Sequence, residues 1–253
     1  MPSLTVVVLT LNEEANIAAC LEGVRWAEEL MVLDSGSTDR TVEIARRFTP
    51  HVLPVEWKGY GATRNAGLDR ASSDWVLWLD ADERVTPELA AEIRAVMALG
   101  TDEPAAYDVA RRAYFLGKWI RHAGWYPGRV TRLFRHGSAR FNTARVHEQL
   151  VVAGATGSLR NDLLHYTDPD LDHYFRKFNR YTTLAAEDLQ AAGRRAGVWD
   201  LTVRPLFAFV KMYILRLGVL DGMHGLILCV LSAGYVFTKY AKLWERTRAG
   251  GAR

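Results

Sequence analysis

One nine-residue stretch constrains the fold of this chain more than any other. Residues 75–83 read Trp-Val-Leu-Trp-Leu-Asp-Ala-Asp-Glu, an apolar run without Gly or Pro that ends in Asp80, Asp82 and Glu83. Its short length and its β-branched and aromatic residues predict a buried strand. Open α/β sheets bind ligands at the carboxyl ends of their strands, which is where these acids would lie. Two carboxylates there suit Mg²⁺ or Mn²⁺, completed by phosphate oxygens.

The same stretch also fits a plainer interpretation, in which the strand leads into an acidic, solvated loop. In that case Glu83 would be an early residue of the next helix. A single Asp-x-Asp pair does not decide between a metal site and a loop, so the decision depends on the rest of the chain.

Composition narrows the class of protein. A chain of 253 residues is long enough for one large domain, or for one domain with an appendage. The net charge of +3 is too small to indicate nucleic-acid binding by itself. The two cysteines are far apart and match neither a disulfide framework nor a zinc cluster, which favours a reducing compartment. We expect no signal peptide, because the N-terminal residues read directly as a strand.

Apolar strands alternate with helical segments through the first hundred residues. Residues 4–10 predict a central strand buried on both faces, and residues 30–34 predict a second strand that ends in an acid. Residues 52–55 predict a third strand at a sheet edge, because they contain a proline. Thr86 and Pro87 predict the start of a helix. This alternation predicts a doubly wound α/β architecture.

The polar residues after these strands each have a structural and a functional interpretation. Asn12 predicts a helix N-cap, with Glu13 in the first turn. Asp34 would hydrogen-bond a base or ribose, or else its loop would only cap the next helix. Arg64 suits a diphosphate through its planar donor fork, or else it lies on a solvated helix face. The segment contains neither Gly-x-Gly-x-x-Gly nor Gly-Lys-Ser/Thr, which argues against a dinucleotide-binding dehydrogenase and a P-loop NTPase.

Four motifs taken together, in this order and spacing, resemble family 2 glycosyltransferases. They are the segments 8–14 (Val-Leu-Thr-Leu-Asn-Glu-Glu), 32–39 (Val-Leu-Asp-Ser-Gly-Ser-Thr-Asp), 64–65 (Arg-Asn) and 79–82 (Leu-Asp-Ala-Asp). The likeness covers roughly the first hundred residues and is far more specific than any single motif. It implies a GT-A fold, a nucleotide-sugar donor and inversion at the anomeric carbon.

The resemblance also implies a role for each residue of these motifs. The nucleotide-sugar-binding residues that it implies are Thr10, Asn12, Glu13, Asp34, Ser35, Arg64 and Asp80. Asp34 would lie near the uracil of a UDP-sugar, and Arg64 would face the diphosphate. Asp82 would reach the metal, while Asp80 would lie beside both the ribose and the metal.

Residues 107–111 predict a half-exposed strand, and a dense aromatic and basic stretch follows between residues 114 and 135. Aromatic faces pack against sugar rings, and arginines bind phosphates or acidic sugars. We therefore predict Trp125, Tyr126 and Arg129 as contacts of the acceptor. A nucleic-acid surface uses similar residue types, but the preceding motifs favour a sugar or lipid-phosphate acceptor.

Two later segments supply candidates for a base and for another metal ligand. His147 and Glu148 lie in a strand-like pattern, where adjacent side chains face opposite sides. We predict Glu148 as the base that takes the acceptor proton, because a carboxylate needs no neutral tautomer, and His147 as an acceptor contact. His165, at a further strand end, is a candidate metal ligand or a structural histidine. Both segments resemble the bacterial lipopolysaccharide core glucosyltransferase branch of the family.

The last third of the chain reads as amphipathic helices with a basic, aromatic tail. We expect no membrane-spanning helix, because no stretch reaches about 18 uncharged apolar residues. Basic residues beside partial apolar faces favour helices that lie in a bilayer interface. A helical hairpin packed on the catalytic core, or a dimer interface, is the alternative, and the oligomeric state stays open.

These observations predict a GT-A catalytic domain over residues 1–168, with a nucleotide-sugar half (1–100) and an acceptor half (101–168). Residues 169–253 would form a membrane-associating helical region. The predicted reaction moves a sugar from a UDP-sugar to a hydroxyl of a lipid-linked saccharide such as lipopolysaccharide core. It would take place at the inner face of the cytoplasmic membrane, with a divalent metal and without nucleic acid.

Two other functions stay open. A nucleotidyltransferase would also use carboxylates on an α/β sheet, but it would normally show a Gly-rich N-terminal loop that this chain lacks. A catalytically dead membrane-binding adaptor would keep the C-terminal helices. The intact acid pair after the predicted strand weighs against it.

Overall fold

The computed structural model describes residues 2–99, 104–142 and 149–249. It divides the chain into two compact units. The first unit comprises Met1–Arg111 and Arg129–His165, and the second comprises Arg112–Gly128 and Tyr166–Arg253. This division groups residues 112–128 with the C-terminal helices. The functional boundary at residue 168 stays a prediction.

Strands and helices alternate in the first hundred residues, and helices dominate the last third of the chain. In chain order the elements are β1 (Leu4–Thr10), α1 (Ile17–Glu22), β2 (Glu29–Asp34), α2 (Thr41–Ala45), β3 (Val52–Pro54), α3 (Tyr60–Leu68), β4 (Trp75–Asp80), β5 (Glu83–Arg84), α4 (Pro87–Met97), β6 (Ala106–Val109), β7 (Arg111–Phe115), β8 (Lys118–Trp119), β9 (Val130–Arg135), β10 (Ala139–Phe141), β11 (Leu150–Val152), β12 (Thr156–Ser158), β13 (Leu163–Asp168), α5 (Leu171–Ala191), α6 (Val198–Val210), a π-helical turn (Lys211–Leu215), a 3₁₀ turn (Gly218–Asp221) and α7 (Gly222–Ala249).

A mixed sheet forms the centre of the first unit, with the strand order β12-β6-β9-β4-β1-β2-β3. Strands β4, β1, β2 and β3 are parallel, whereas β9 runs antiparallel to both β4 and β6. The continuous apolar sequences of β1, β2 and β4 are almost fully buried, as strands covered on both faces require. The predicted α/β class is confirmed, and β3 with its proline forms the sheet edge, as predicted.

Alternate residues of β1 face two different cores, because side chains alternate along a strand. Val6 and Val8 belong to the cluster that contains α1 and α4, and Val7 belongs to the cluster that contains α3. Helix α3 packs closely on the sheet, since a Cβ added at Gly67 would lie 2.3 Å from Cδ1 of Leu33. Helices therefore cover both faces and leave the strand ends as the polar edge of this unit.

One predicted helix start is wrong and another is confirmed. Asn12 has a left-handed φ of 55° and is not an N-cap, because its side chain binds the loop after β2 and α1 begins later, with Asn16 at the cap position. Helix α4 begins as predicted. Thr86 accepts a hydrogen bond from the N–H of Leu89 at 3.2 Å, and Pro87 occupies the first helical position.

Glu83 does not begin a helix, so the interpretation of an acidic, solvated loop is wrong. It lies in β5, where its side chain is fully buried. Strand β5 pairs antiparallel with β13, which places His165 opposite Glu83. This pairing brings the far end of the first unit's sequence to the acidic stretch.

The second unit combines the β7–β8 hairpin with the C-terminal helices. Helix α7 packs on α5 through polar contacts as well as apolar ones. Nζ of Lys242 donates hydrogen bonds to the side chains of Asn179 and Thr183 at 2.8 Å, and Arg246 pairs with Glu187 at 2.7 Å. These contacts attach the second half of α7 to α5.

One described helix is long and apolar enough to cross a membrane by length and composition. It spans Gly218–Arg248, and most of its apolar stretch is not buried within the protein. The expectation that no segment is long and apolar enough to span a membrane is wrong. Small and hydroxyl residues lie within this apolar stretch, but they add no charge to it. Core helices of soluble proteins meet the same criteria, and α7 packs on α5.

Candidate active site

Polar residues from three adjacent parallel strands meet at one edge of the sheet. The register pairs Thr10 of β1 with Asp34 of β2, and Leu9 of β1 with Asp80 of β4. The hydroxyl oxygen of Thr10 is buried, and no described residue forms a hydrogen bond with it. A buried polar atom of this kind calls for a partner, which a bound ligand would supply.

The loops after β1 and β2 hold each other in place through two of the predicted site residues. Oδ1 of Asn12 accepts a hydrogen bond from the N–H of Thr38 at 2.8 Å, and the N–H of Asn12 donates to Oγ of Ser37 at 2.8 Å. The Asp34 carboxylate accepts hydrogen bonds from the N–H groups of Gly36 and Ser37 at 3.1 Å. Asn12 and Asp34 therefore shape the rim of the strand-end edge.

Two further predicted residues lie in these loops. Oγ of Ser35 donates a hydrogen bond to the carbonyl of Thr10 at 3.0 Å. The Glu13 carboxylate accepts one from Nδ2 of Asn16 at 2.8 Å. The structure brings these five nucleotide-site candidates together, and their contacts with a nucleotide stay a prediction.

Two arginines and two acids form an ion-pair network at the end of β4. The Asp80 carboxylate accepts hydrogen bonds from Arg64 at 3.1 Å and from Arg132 at 2.6 Å. Nη2 of Arg132 also lies 2.6 Å from the carboxylate of Glu83. The second oxygen of Glu83 accepts a hydrogen bond from the N–H of Asp80 at 3.0 Å. Both Arg132 and Glu83 are buried, and the charge of Glu83 is compensated by Arg132 at 2.6 Å and by Nη1 of Arg111 at 3.9 Å.

The network fixes the charge of its acids. Burial raises the pKa of Asp80, but the Arg132 and Arg64 guanidinium groups together lower it well below its usual range. Burial also raises the pKa of Glu83, which Arg132 lowers in part and the Asp80 charge raises again, so that it lies above its ordinary value. The two arginines therefore favour the anionic form of Asp80, whereas burial and the neighbouring Asp80 charge disfavour the anionic form of Glu83.

Arg64 reaches this network from α3 and is not on a solvated helix face. Its side chain is only 11% exposed, and its guanidinium lies over the rings of Trp78 and Phe141 at 5.6 and 5.1 Å. That alternative interpretation is wrong, since the helix turns this residue toward the strand ends. Contact with a diphosphate stays a prediction.

The sequence did not single out Arg132 and Glu83 as one pair. Arg132 belonged only to a basic stretch, and Glu83 was only the third acid of its run. The available signal was Arg132 next to the apolar residues Leu133 and Phe134 of strand β9, because a charge buried in a sheet needs a partner. The strand pairing that identifies this partner is not encoded locally.

Asp82 and His165 form a second pair beside the network. Oδ2 of Asp82 lies 3.3 Å from Nε2 of His165, and the side chains are 12% and 16% exposed. Burial lowers the pKa of His165, but the hydrogen bond to Asp82 and the charge of Asp82 raise it above its ordinary value. The histidine is therefore held by a specific carboxylate partner.

This pair fits a divalent metal ion. Carboxylate oxygen and imidazole nitrogen are both metal ligands, and two ligand atoms about 3 Å apart suit adjacent positions around one ion. Within residues 2–99, 104–142 and 149–249, no group of three His, Cys, Asp or Glu side chains is arranged to hold an ion. The other ligands would then be phosphate oxygens or water. Asp80 instead faces two guanidinium groups.

Two of the predicted acceptor residues belong to the second unit. Trp125 is half-buried and meets the ring of Phe115 edge-on at 6.1 Å. Tyr126 is 36% exposed and meets the ring of Trp119 edge-on at 5.5 Å. Trp125 is thus partly a core residue, while Tyr126 presents more of its ring to solvent.

The other acceptor and base candidates are placed differently. Arg129 belongs to the first unit, where it pairs with Asp108 at 2.6 Å and donates to the carbonyl of Leu159 at 3.2 Å. Its guanidinium is therefore engaged at the end of β6. His147 and Glu148 lie outside the described residues, and their roles stay predictions.

An open α/β sheet with acids at the carboxyl ends of adjacent parallel strands is the arrangement of nucleotide-binding α/β proteins. Residues 5–164 match the family model described as glycosyl transferase family 2. The match spans more than half of the chain, so the chain belongs to this family. The predicted family and the predicted fold class of the GT-A type are confirmed.

Two sequence relatives agree with this assignment. The chain is 31% identical to the lipopolysaccharide core biosynthesis glycosyltransferase LpsC of Rhizobium meliloti (strain 1021), over 96% of this chain and 92% of LpsC. It is 28% identical to the uncharacterized glycosyltransferase RT0209 of Rickettsia typhi, over 97% of this chain and 88% of the relative. Among solved structures, TarS 1-349 of S. aureus aligns over 98% of this chain and 92% of that chain, with 15% identity and a TM-score of 0.47.

Proposed function

We propose that this protein transfers a sugar, with inversion, from a UDP-sugar to a hydroxyl of a lipid-linked saccharide such as lipopolysaccharide core. The observation that carries the proposal is the Asp82–His165 pair in a family 2 chain, following the strand whose end also holds Asp80. The similarity to LpsC over nearly the whole chain supports the acceptor class.

The donor would bind at the edge where β1, β2 and β4 end. The buried hydroxyl of Thr10 would gain a partner there, and the loops held by Asn12 and Asp34 would line the nucleotide. Arg64 donates a hydrogen bond to Asp80 at the same strand end, and its guanidinium would face the diphosphate. Contacts within the protein hold Asn12, Asp34 and Arg64 in place, so this edge would be largely formed before the donor arrives.

Asp82 and His165 would hold a Mg²⁺ or Mn²⁺ ion. A bound divalent ion neutralises the charge that builds up on the departing diphosphate. The chain's own contribution would be to place the Asp82 carboxylate and the His165 imidazole side by side as ligands and to keep Asp80 anionic through the two arginines. Glu148 would take the proton from the acceptor hydroxyl as it attacks the anomeric carbon.

Trp125, Tyr126, Arg129 and His147 would contact the acceptor, with the aromatic rings against sugar faces. The enzyme would work at the inner face of the cytoplasmic membrane as a peripheral protein. The exposed apolar residues of α6 and of the turns after it support this location. Family membership argues against a nucleotidyltransferase, and an inactive adaptor would show no transfer from any donor.

The test is a screen of UDP- and GDP-sugars against lipid-linked saccharide acceptors, with products identified by mass spectrometry. We expect transfer from one or a few UDP-sugars, loss of transfer after chelation and recovery with Mg²⁺ or Mn²⁺. Transfer from GDP-sugars alone would contradict the proposed donor. Full activity in the presence of a chelator would contradict the proposed metal.

A further inference from the structure

An open groove of about 480 Å³ runs between α6 and α7 in the second unit. Its walls are mainly apolar and include Trp199, Val203 and Phe207 of α6 and Val236 of α7. Trp199 and Phe207 are 66% and 59% exposed, although aromatic side chains of this size are usually well buried in soluble proteins. The groove therefore offers an apolar channel that the chain itself leaves open.

Two cations lie at one aromatic ring of this groove. The Arg204 guanidinium is 5.3 Å and the Lys239 ammonium 4.9 Å from the ring centre of Tyr240. Arg204 pairs with Asp200 at 2.6 Å. In the part of the chain that the structure describes, no carboxylate forms an ion pair with Lys239. The Lys239 ammonium is therefore a positive charge without a carboxylate partner among the described residues, and it lies beside an apolar channel. This combination is complementary to an anionic amphiphile.

The surface that continues from the groove indicates where such an amphiphile would come from. Beyond Phe207 the chain exposes Leu206, Leu215 and Leu220 to 63–67%. Residues 205–220 contain no acid, and their only charges are Lys211 and Arg216. An apolar surface with only positive charges is complementary to the interface of an anionic bilayer.

We propose that the α6–α7 groove binds one anionic membrane phospholipid. Its phosphate lies at Lys239 and Arg204, and an acyl chain lies along Trp199, Val203 and Phe207. The apolar groove favours the chain and the unpaired ammonium favours the charged headgroup, so neither a free anion nor a neutral lipid satisfies both parts. The inference does not depend on the transfer reaction.

Calorimetry on the full-length protein tests this site with short-chain lipids below their micelle concentrations. The probes are dihexanoyl phosphatidylglycerol, dihexanoyl phosphatidylcholine and glycerol phosphate. We expect the phosphatidylglycerol to bind at least about fivefold more tightly than the phosphatidylcholine. This is the gain in affinity that one basic residue provides beside an anionic headgroup. Glycerol phosphate, which has no acyl chain, should bind far more weakly than either lipid.

Lys239→Gln should remove the preference for the anionic lipid, about a fivefold loss of affinity. Arg248→Gln is the matched control. Arg248 also lies on α7 over an aromatic ring, 5.1 Å from that of Trp244, but it does not line the groove. Equal loss in both variants, or equal affinity of the wild type for the two lipids, would overturn the proposal.

A steric pair of variants tests the apolar channel separately. Val203→Phe narrows the groove and should weaken binding of both lipids, whereas Val230→Phe, at a 51% exposed position of α7, should leave binding unchanged. Thermal melting checks that each variant is folded. Unchanged lipid binding in a folded Val203→Phe protein overturns the channel, and glycerol phosphate binding as tightly as the lipid shows a free-anion site instead.

Discussion

The two units depart from the usual distribution of residues in opposite directions. The first unit buries charges, with Arg132 and Glu83 almost inaccessible at the end of β4. The second unit exposes large apolar side chains, among them Trp199 and Leu215. Neither feature by itself stabilises a soluble protein. Burying a charge costs desolvation free energy, and an exposed apolar side chain gains no burial free energy on folding. Departures of this kind concentrate at functional sites.

The comparison separates two kinds of function by their physical chemistry. In the first unit the charges are held in fixed geometry, which suits orientation of a charged donor and stabilisation of charge during transfer. In the second unit the large apolar side chains are exposed, and a surface of this kind is typical of a site where a bound partner excludes water. Variants of the buried charges in the first unit should therefore change turnover or folding, and variants of the exposed apolar side chains in the second should change surface binding.

The largest effect should come from the proposed base. Glu148→Gln keeps the size of the side chain but removes its basicity, so transfer should slow by about 10²–10⁴-fold with little change in donor affinity. His147→Gln is the neighbouring control and should lose less. The measurement is the transfer rate together with the affinity for the UDP-sugar. A crippled His147 variant beside a normal Glu148 variant would reverse the assignment.

The next effect should be on folding. Arg132→Met leaves the buried Glu83 and the half-buried Asp80 with less compensating charge and should lower the free energy of unfolding by about 3–5 kcal/mol in urea denaturation. Adding Glu83→Gln to that variant should restore part of the loss, because it removes the buried carboxylate that has lost its partner at 2.6 Å.

An exposed arginine provides the control for this folding prediction. Arg25→Met breaks an exposed pair with Glu22 and should cost no more than about 1 kcal/mol. Similar losses for the two arginine variants would show that the network at β4 does not depend on its burial. A double variant as unstable as Arg132→Met alone would show that Glu83 is not the acid left unpaired.

The metal pair should affect activity more than folding. Asp82→Asn replaces a charged oxygen ligand by a neutral amide, so we expect a loss of about 100-fold or more in transfer, with weaker metal-dependent binding of UDP. Asp69→Asn, at an exposed acid paired with Arg140, should leave both unchanged. Near wild-type turnover of Asp82→Asn at saturating metal would remove Asp82 from the proposed site.

The parts of this picture that sequence could predict are those determined by short segments. Continuous apolar runs indicated β1, β2 and β4, and a threonine followed by proline indicated the start of α4. Parallel strands end at the same edge of a sheet, so the strand pattern placed Asp34 and Asp80 at that edge, whereas Thr10 was implied only by the family resemblance.

The parts that sequence could not predict depend on pairing between distant segments. The register of β9 and β13 brings Arg132 to Asp80 and His165 to Asp82, and nothing local in either strand specifies that register. The start of α1 was predicted too early for a related reason. Asn12 forms its hydrogen bonds with Thr38 across 26 positions of sequence, which removes it from the cap position.

The smallest effect on folding should come from the exposed apolar surface, and it sharpens the contrast with the first unit. Replacing both Leu206 and Leu215 by serine should change the free energy of unfolding by no more than about 0.5 kcal/mol for each site, because 64% and 67% of these side chains are already exposed. The same double variant should bind phosphatidylglycerol vesicles at least about tenfold more weakly, since each leucine that enters the interface contributes of order 1.5 kcal/mol or more. Leu228→Ala, at a buried position of α7, should show the opposite pattern. It should lower the free energy of unfolding by about 2–5 kcal/mol and leave vesicle binding unchanged. If the double serine variant melts early and still binds vesicles like the wild type, this surface packs against protein, as in a dimer interface, and not against a bilayer.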